Sequence, residues 1–339
     1  MDDRKIKIEQ WLTDTIGMTG YTIELASGDA SFRRYFRITS DEKTSIVMDA
    51  PPDKEDCGPY IKVAEALAYC GLHVPEILAR DLDQGFLWLS DLGNVQYADV
   101  LKPETVDKYY QDAMDALIKL QTASKPEGVD LPPYDHALLM REMELFREWF
   151  VGQHMGLELD PEEQKLFETT FEFLARSALD QIQVWVHRDY HSRNLMLVDN
   201  LNPGVLDFQD AVVGAITYDL VSLLRDCYIA WPIQQVNDWV KQYHQKLIRT
   251  GQFDLPSYEL FQQQFDFMGV QRHLKASGIF ARLNYRDGKP GYLADIPRTL
   301  AYVSAMCDKY DSLSEFGRWI ESRVTPRLNP QNGQRVAQA

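Results

Sequence analysis

From about residue 21 to residue 90 the sequence reads as short strands with one helix among them. From about residue 95 it reads as one helix after another, broken by three short strands near residues 183–208. Strands gathered first and helices after them predict an α+β chain, not one that alternates strand and helix. A short amphipathic helix over 5–16 precedes strands at about 21–26, 32–39 and 44–49. Alternation in the second strand sets Phe32, Arg34, Phe36 and Ile38 on one face, with Ser31, Arg33, Tyr35 and Arg37 on the other. Pro51-Pro52 stops the third strand. A helix over 59–70, closed by Gly71, leads into strands at 76–81 and 85–90. Helical spacing returns over 104–121 and 134–150. Asp160-Pro161-Glu162-Glu163 supplies a cap, a first-turn proline and a carboxylate that reaches back, so a helix starts there and runs to about 179. Strands follow at 183–187, 194–198 and 204–208, and residues 217–324 are mostly helical. The expected division is a small lobe over 1–90, a helical lobe over 91–328 and a polar, disordered tail over 329–339.

With 339 residues and 45% apolar content the chain can bury a core without covalent staples. Cys57, Cys70, Cys227 and Cys307 are widely separated and form no CxxC pair. They read as reduced, buried thiols, not as disulfides or a zinc site. The opening MDDRKIKIEQW has no signal-peptide core, and no run approaches the roughly 20 apolar residues of a membrane span. Both features place the protein in the cytoplasm and away from membranes. A formal net charge of −16 disfavours nucleic acid as a partner. An anionic small molecule stays open, because a magnesium ion or a local arginine inverts the field inside a pocket.

Residues 184–196, VWVHRDYHSRNLM, hold the chemistry-bearing residues. Asp189 can accept a proton from a substrate hydroxyl, and Asn194, five positions later, can offer an amide oxygen to Mg²⁺. Asp207 ends an apolar strand eighteen residues after Asp189 and can bridge metal to nucleotide phosphates. Phosphoryl transfer needs in-line positioning and neutralised phosphate oxygens more than covalent help from protein. One base, one amide and one metal-binding acid are the minimum equipment, and short strands between them would hold all three at one cleft.

The loop HRDYHSRN followed by LDFQD resembles the catalytic and metal loops of the protein-kinase-like superfamily, and its aminoglycoside phosphotransferase-like branch is the closer match. Gln209 after Asp207-Phe208 suits that branch, and the absence of an Ala-Pro-Glu segment speaks against a protein kinase. Across nearly the whole chain, stretches such as GDASFRRYFR, LWLSDLG, HRDYHSRNLM, MGVQRHLKASGIFAR and RDGKPGYLADIPR are similar to the bacterial anomeric sugar kinases. Those enzymes phosphorylate N-acetylmuramate and N-acetylglucosamine at the 1-position in cell-wall recycling. The resemblance implies a bilobal kinase-like fold, ATP and Mg²⁺ as cofactors, an amino sugar as substrate, Asp189 as base, and Asn194 with Asp207 as metal ligands. It leaves oligomeric state open, with a monomer sufficient. An antibiotic or other small-alcohol phosphotransferase, and a nucleotide-binding pseudokinase, remain alternatives.

The pattern breaks at the third strand. A kinase of this kind carries a basic residue there, paired to a helix glutamate, whereas Ser45-Ile46-Val47-Met48-Asp49 has none. Glu65 is a remnant of the glutamate partner in this reading. The first hairpin has no GxGxxG; Gly28-Asp29-Ala30-Ser31 stands in for it. The phosphate charge then falls to Arg33 or Arg37 on the second strand, to Mg²⁺, or to both. Leu87-Trp88-Leu89-Ser90-Asp91 is the candidate hinge, with Leu89 and Asp91 beside the nucleotide. On the substrate side, Asp210 directly follows the metal loop, and Arg272 and Lys275 share one helix face suited to a carboxylate. His191 reads as a packing residue, and Asp219 as a cap of the helix after the metal loop.

Overall fold

The computed structural model describes residues 2–28, 32–41 and 43–328. Helix α1 (Asp3–Gln10) is capped by the Asp2 carboxylate, which accepts from the amides of Arg4 and Lys5, and a π-helical turn extends it to Thr15. Strands β1 (Thr22–Gly28), β2 (Arg34–Ser40) and β3 (Lys43–Asp49), helix α2 (Cys57–Tyr69), and strands β4 (Ile77–Asp81) and β5 (Phe86–Ser90) follow. Next come α3 (Tyr97–Val100), α4 (Val106–Thr122), α5 (His136–Leu145), which continues as a π-helix to His154, and α6 (Pro161–Leu179). The chain goes on through β6 (Gln183–Val186), β7 (Leu195–Met196), β8 (Gly204–Val205) and β9 (Val212–Ala215). It closes with α7 (Tyr218–Leu224), α8 (Ile233–Thr250), α9 (Tyr258–Tyr285), α10 (Ile296–Lys309) and α11 (Ser314–Trp319).

Two compact units result. The first is the chain up to Val129 together with Arg193–Asp210; the second is Asp130–Ser192 together with the chain from Ala211 onward. The division differs from a boundary at residue 90 because α3, α4 and the β7–β8 hairpin join the first unit. The β7–β8 hairpin bridges to the N-terminal part at His73↔Gly204 and Gln96↔Met196. Asn202 in its turn bonds the Tyr97 hydroxyl and the Asp112 carboxylate of α4, each at 2.8 Å. The expected tail, 329–339, lies outside the described residues.

In the first unit a five-stranded antiparallel sheet runs in the order β1-β2-β3-β5-β4. Strict alternation gives it two unlike faces. One face carries Phe36, Ile38, Val47 and Phe86, which bury against Ile8, Trp11 and Leu12 of the N-terminal helix. At its edge Asp49, fully buried, sits between Arg4 (Nε to Oδ1, 2.9 Å) and Arg34 (Nη2 to Oδ2, 2.6 Å). The opposite face carries Tyr35, Arg37, Ile46 and Leu89. β2 begins at Arg34, two residues later than its alternation suggested, and Phe32 is left exposed. The LDQG turn has a steric reason for its glycine. Gly85 has φ +72° and its carbonyl accepts from the Ala50 amide at 2.9 Å, so a Cβ there would overlap the Ala50 carbonyl.

The second unit is helical around α9. That helix is buried through most of its 28 residues, on every side, with polar and charged side chains among the buried ones. A helix of that kind is a core helix, so Arg272 and Lys275 do not sit on a solvated face. Gly278 lets α9 press against the backbone of Leu145 and Phe146, where a Cβ would overlap. Phe146, Phe167, Phe316 and Trp319 stack and tilt around this contact. The capping box at Asp160 forms: its carboxylate accepts from Glu162 and Glu163 amides at 2.9 Å, and Glu163 accepts from the Asp160 amide at 3.0 Å.

Strand pairing around the motif differs from the simple order in sequence. β6 pairs with β9, which sequence reading missed, and β7 pairs with β8. β6 and β7 flank the HRD loop but do not pair with each other. All four cysteines are buried and unbridged. No helix among the described residues is long and apolar enough to cross a membrane.

Candidate active site

The loop that follows β6 is held from several helices of the second unit. Arg188 has φ +79°, a left-handed conformation that costs a non-glycine residue free energy and persists only when surroundings enforce it. The enforcement is visible. Asp219, fully buried in α7, accepts the amides of His187 at 2.7 Å and Arg188 at 3.0 Å. Asp226 accepts the Ser192 amide at 2.9 Å at the other end of the loop. Asp219 is therefore the anchor of the loop after β6, not the cap of its own helix. Burial pushes its carboxyl up to about 7, against the lowering effect of the two amide bonds.

Below the loop, Glu142 of α5 collects three partners. Arg188 Nη2 and Tyr134 OH donate to it, and Lys275 Nζ lies 3.2 Å from Oε1. Lys275 also donates to Tyr218 OH at 3.0 Å, and Gln271 Nε2 to Tyr134 OH at 3.3 Å. Burial works to raise the Glu142 carboxyl, but Lys275 and Arg188 outweigh it and hold it below the usual range. The same logic acts on Asp189. Burial works to raise it, but the charge of Lys275, followed by His191, Arg272 and His187, keeps it below the ordinary value. Asp189 is partly exposed as a residue, and its lowered pKa keeps the carboxylate ionised on a fixed backbone. Its amide donates to His187 Nδ1 at 3.2 Å. His191 packs edge-on to Tyr228, with ring centroids 5.3 Å apart.

In the first unit a cavity of about 310 Å³ opens on the second face of the sheet. Tyr35, Arg37, Ile46, Leu89 and Ser90 line it from the strands, residues 91–94 from the segment after β5, and Asn194 and Asp207 from the β7–β8 hairpin. Asn194 precedes β7 and Asp207 follows β8 by two positions, so the register that pairs Leu195 with Val205 sets them together. The Leu206 amide donates to the Asn194 carbonyl at 2.9 Å, and Asn194 Nδ2 lies 3.3 Å from Asp207 Oδ2. Gln209 Nε2 donates to Asp207 Oδ1 at 2.8 Å, and Asp207 itself has φ +63°. One carboxylate and one amide form a set of oxygen donors. That suits Mg²⁺, which takes few protein ligands and completes its shell with water and phosphate. No cluster of three His, Cys, Asp or Glu that would mark a dedicated metal cage occurs among the described residues.

Among the described residues two cations line this cavity, Arg193 beside Asn194 and Arg37 on β2. Arg37 is paired across the sheet with Ile46, which in turn faces Leu89. Asp91 grips Arg37 at 2.7 Å (Nε to Oδ2) and 3.1 Å (Nη2 to Oδ1), and Gly93 accepts from Nη2 at 2.8 Å. Arg33 sits elsewhere, paired with Glu55 at 3.0 Å and absent from the cavity lining. β3 begins at Lys43, so the strand does start with a basic residue, but Lys43 is exposed and shares the face of Ser45 and Val47, away from the cavity. Glu65 is exposed on the outer side of α2 near Lys62 and Arg80, so it is no partner for a cavity cation. Gly28 ends β1 opposite Arg34; Ser31 lies outside the described residues. Asp210 is exposed at the end of the first unit's second segment. Arg286 and Asp287 pair with each other at 2.8 Å.

A loop-borne carboxylate pinned by buried acids, a short hairpin carrying an amide and an acid, and a sheet-borne cavity together define a chain built for phosphoryl transfer. The chain belongs to the phosphotransferase enzyme family, whose model matches residues 22–261. It is 49% identical over 297 residues to an N-acetylmuramate/N-acetylglucosamine kinase of Pseudomonas aeruginosa, covering 88% of this chain and 87% of that one. It is 43% identical over 316 residues to the enzyme of the same name from Neisseria meningitidis, covering 92% and 93%. Among solved structures it resembles an ADP-bound aminoglycoside phosphotransferase, with TM-score 0.59, 18% identity, and coverage of 89% of this chain and 98% of that one.

Proposed function

We propose that this protein is an ATP-dependent kinase that phosphorylates the anomeric hydroxyl of N-acetylmuramate and N-acetylglucosamine, in the cytoplasm, as a step of peptidoglycan recycling. The observation that carries the choice of sugar is the similarity of 43–49% over most of both chains to two kinases named for these sugars. The geometry supports the chemistry. Asp189 accepts the hydroxyl proton; held ionised by Lys275 and its neighbours, it orients the hydroxyl and takes the proton late, as a loose transition state requires. An anomeric hydroxyl is more acidic than an ordinary alcohol, so a weakly basic carboxylate is enough.

Asn194 and Asp207 would hold Mg²⁺, which when bound neutralises phosphate charge. The nucleotide occupies the sheet-borne cavity, with Leu89 and the backbone around Asp91 along the base. Arg37 brings positive charge into that cavity, a role the sequence shared between Arg33 and Arg37. Gly28 and Ser31 are assigned to nucleotide binding, and Asp210 to the sugar.

The test is ADP release from ATP with N-acetylmuramate, N-acetylglucosamine and a kanamycin-type aminoglycoside, followed by ³¹P NMR of the product. A 1-phosphate of either N-acetyl sugar is expected. Turnover of the aminoglycoside alone would move the substrate to that class. Nucleotide binding without any turnover would make the chain a pseudokinase.

A further inference from the structure

Buried cations in the second unit are matched with acids. Lys275 and Arg188 share Glu142, and Arg225 meets Asp266. Arg272 breaks that pattern. It is 5% exposed, and among the described residues its guanidinium has no carboxylate partner. Nη1 meets the Cys227 sulfur at 3.5 Å, a weak acceptor, and Nε has no acceptor. An arginine keeps its charge, and a charge buried without a hydrogen-bonded counter-ion is costly.

The neighbouring acids have other work. Asp226 accepts the amides of Ser192 and Tyr228, and Asp189 is the partly exposed base. Arg272 thus keeps an unused Nε donor in the interior, close enough to Asp189 for its charge to act on that carboxyl. Lys275, three residues on, is committed to Glu142 and Tyr218. The two cations that share a helix face therefore separate: one is structural and one is available.

We propose that Arg272 is the carboxylate receptor of the acceptor site. It takes the lactyl carboxylate of N-acetylmuramate through its planar fork, a contact that N-acetylglucosamine, which lacks the group, does not make. This rests on the amino-sugar reading above. The lactyl ether leaves the ring at C3, two ring carbons from the reacting anomeric carbon, so a cation next to the base is suitably placed. Its charge also screens the substrate carboxylate from that of Asp189.

The experiment is a comparison of kcat/KM for the two sugars in wild type, Arg272→Gln and Arg272→Lys. The ratio of N-acetylmuramate to N-acetylglucosamine is expected to fall roughly 10–100-fold in Arg272→Gln, chiefly through KM, with part of it restored in Arg272→Lys. An unchanged ratio overturns the proposal, whatever happens to the absolute rates. The carboxamide of N-acetylmuramate supplies a test that needs no variant. Wild-type KM for it is expected to rise by a similar factor over the acid, and an equal KM overturns the proposal. Wild type that turns over neither sugar overturns the amino-sugar reading itself, and the receptor with it.

Discussion

The catalytic loop and the nucleotide cavity are built on opposite plans. Residues 187–192 are tied by buried acids on or near α7, by Glu142 on α5 and by cations on α9, so each end of the loop is fixed by a separate element. The cavity is a sheet face whose distinctive polar tie is one ion pair, Arg37 with Asp91. A proton acceptor has to be placed to within a fraction of an ångström, and the loop spends buried charge and a strained residue on that. A nucleotide can be gripped through backbone groups and shape, so the cavity tolerates an isoleucine, Ile46, on the third strand in place of a cation. Breaking ties in the loop should therefore cost activity or folding steeply, and breaking those in the cavity should cost affinity modestly.

The largest effect is expected at the base. Asp189→Asn keeps the size of the side chain and removes its proton affinity, so kcat should drop about 10³-fold with thermal stability close to wild type. ADP release and a melting curve on the same sample check both halves. A loss below tenfold would mean that placement alone carries the reaction.

Next is the tie beneath the loop. Glu142→Gln leaves Lys275 and Arg188 buried without their shared acid, and removing one member of such a group costs about 3 kcal/mol or more. Urea unfolding should show it, and the activity that remains should fall with it because Lys275 no longer holds its position near Asp189. Asp219 gives the same idea a pH signature. Its folded carboxyl titrates at about 7, above the ordinary 3.8. The native state therefore holds a proton that the unfolded chain has lost across that window. Its contribution to stability is full below 3.8 and is lost as pH rises through about 7. Measured between those values, wild type should lose stability with rising pH relative to Asp219→Asn, whose slope lacks this group. Parallel slopes would place the ionisation of Asp219 elsewhere.

How much of this was open to a reader of the sequence follows from distance along the chain. Base, amide and acid fall within nineteen residues, and their spacing is a local pattern that can be read directly. The ties are not local: Asp219 lies 32 positions from His187, Asp226 lies 34 from Ser192, and Glu142 lies 46 from Arg188. Nothing near an aspartate in ITYDL says that its carboxylate turns back to a loop instead of capping its own helix. The four-residue β9 was hidden for a related reason, since VVGA after a turn is too short for alternation to register and its partner lies 26 to 32 residues earlier in the register with β6. Arg272 and Lys275 were visible as a pair but not as buried, because helical spacing places residues on a face without saying what covers it. The N-terminal sheet was legible strand by strand, since alternation there matches one buried face.

The smallest effect sharpens the cavity side. Arg37 and Arg33 lie on the same face of neighbouring sequence, and alternation alone cannot choose between them. The structure separates them: Arg37 lines the cavity with Asp91 and Gly93 fixing its guanidinium, while Arg33 is spent on Glu55. Arg37→Met keeps the length of the side chain and removes charge and tether. KM for ATP should rise about tenfold, equivalent to about 1.4 kcal/mol, with kcat for the sugar within a factor of three. Arg33→Met should leave KM for ATP within about twofold, since a part-exposed ion pair of this kind contributes little. Equal effects of the two substitutions would mean that β2 contributes only general positive charge, and that the pairing of Arg37 with Asp91 does not set where the nucleotide lies.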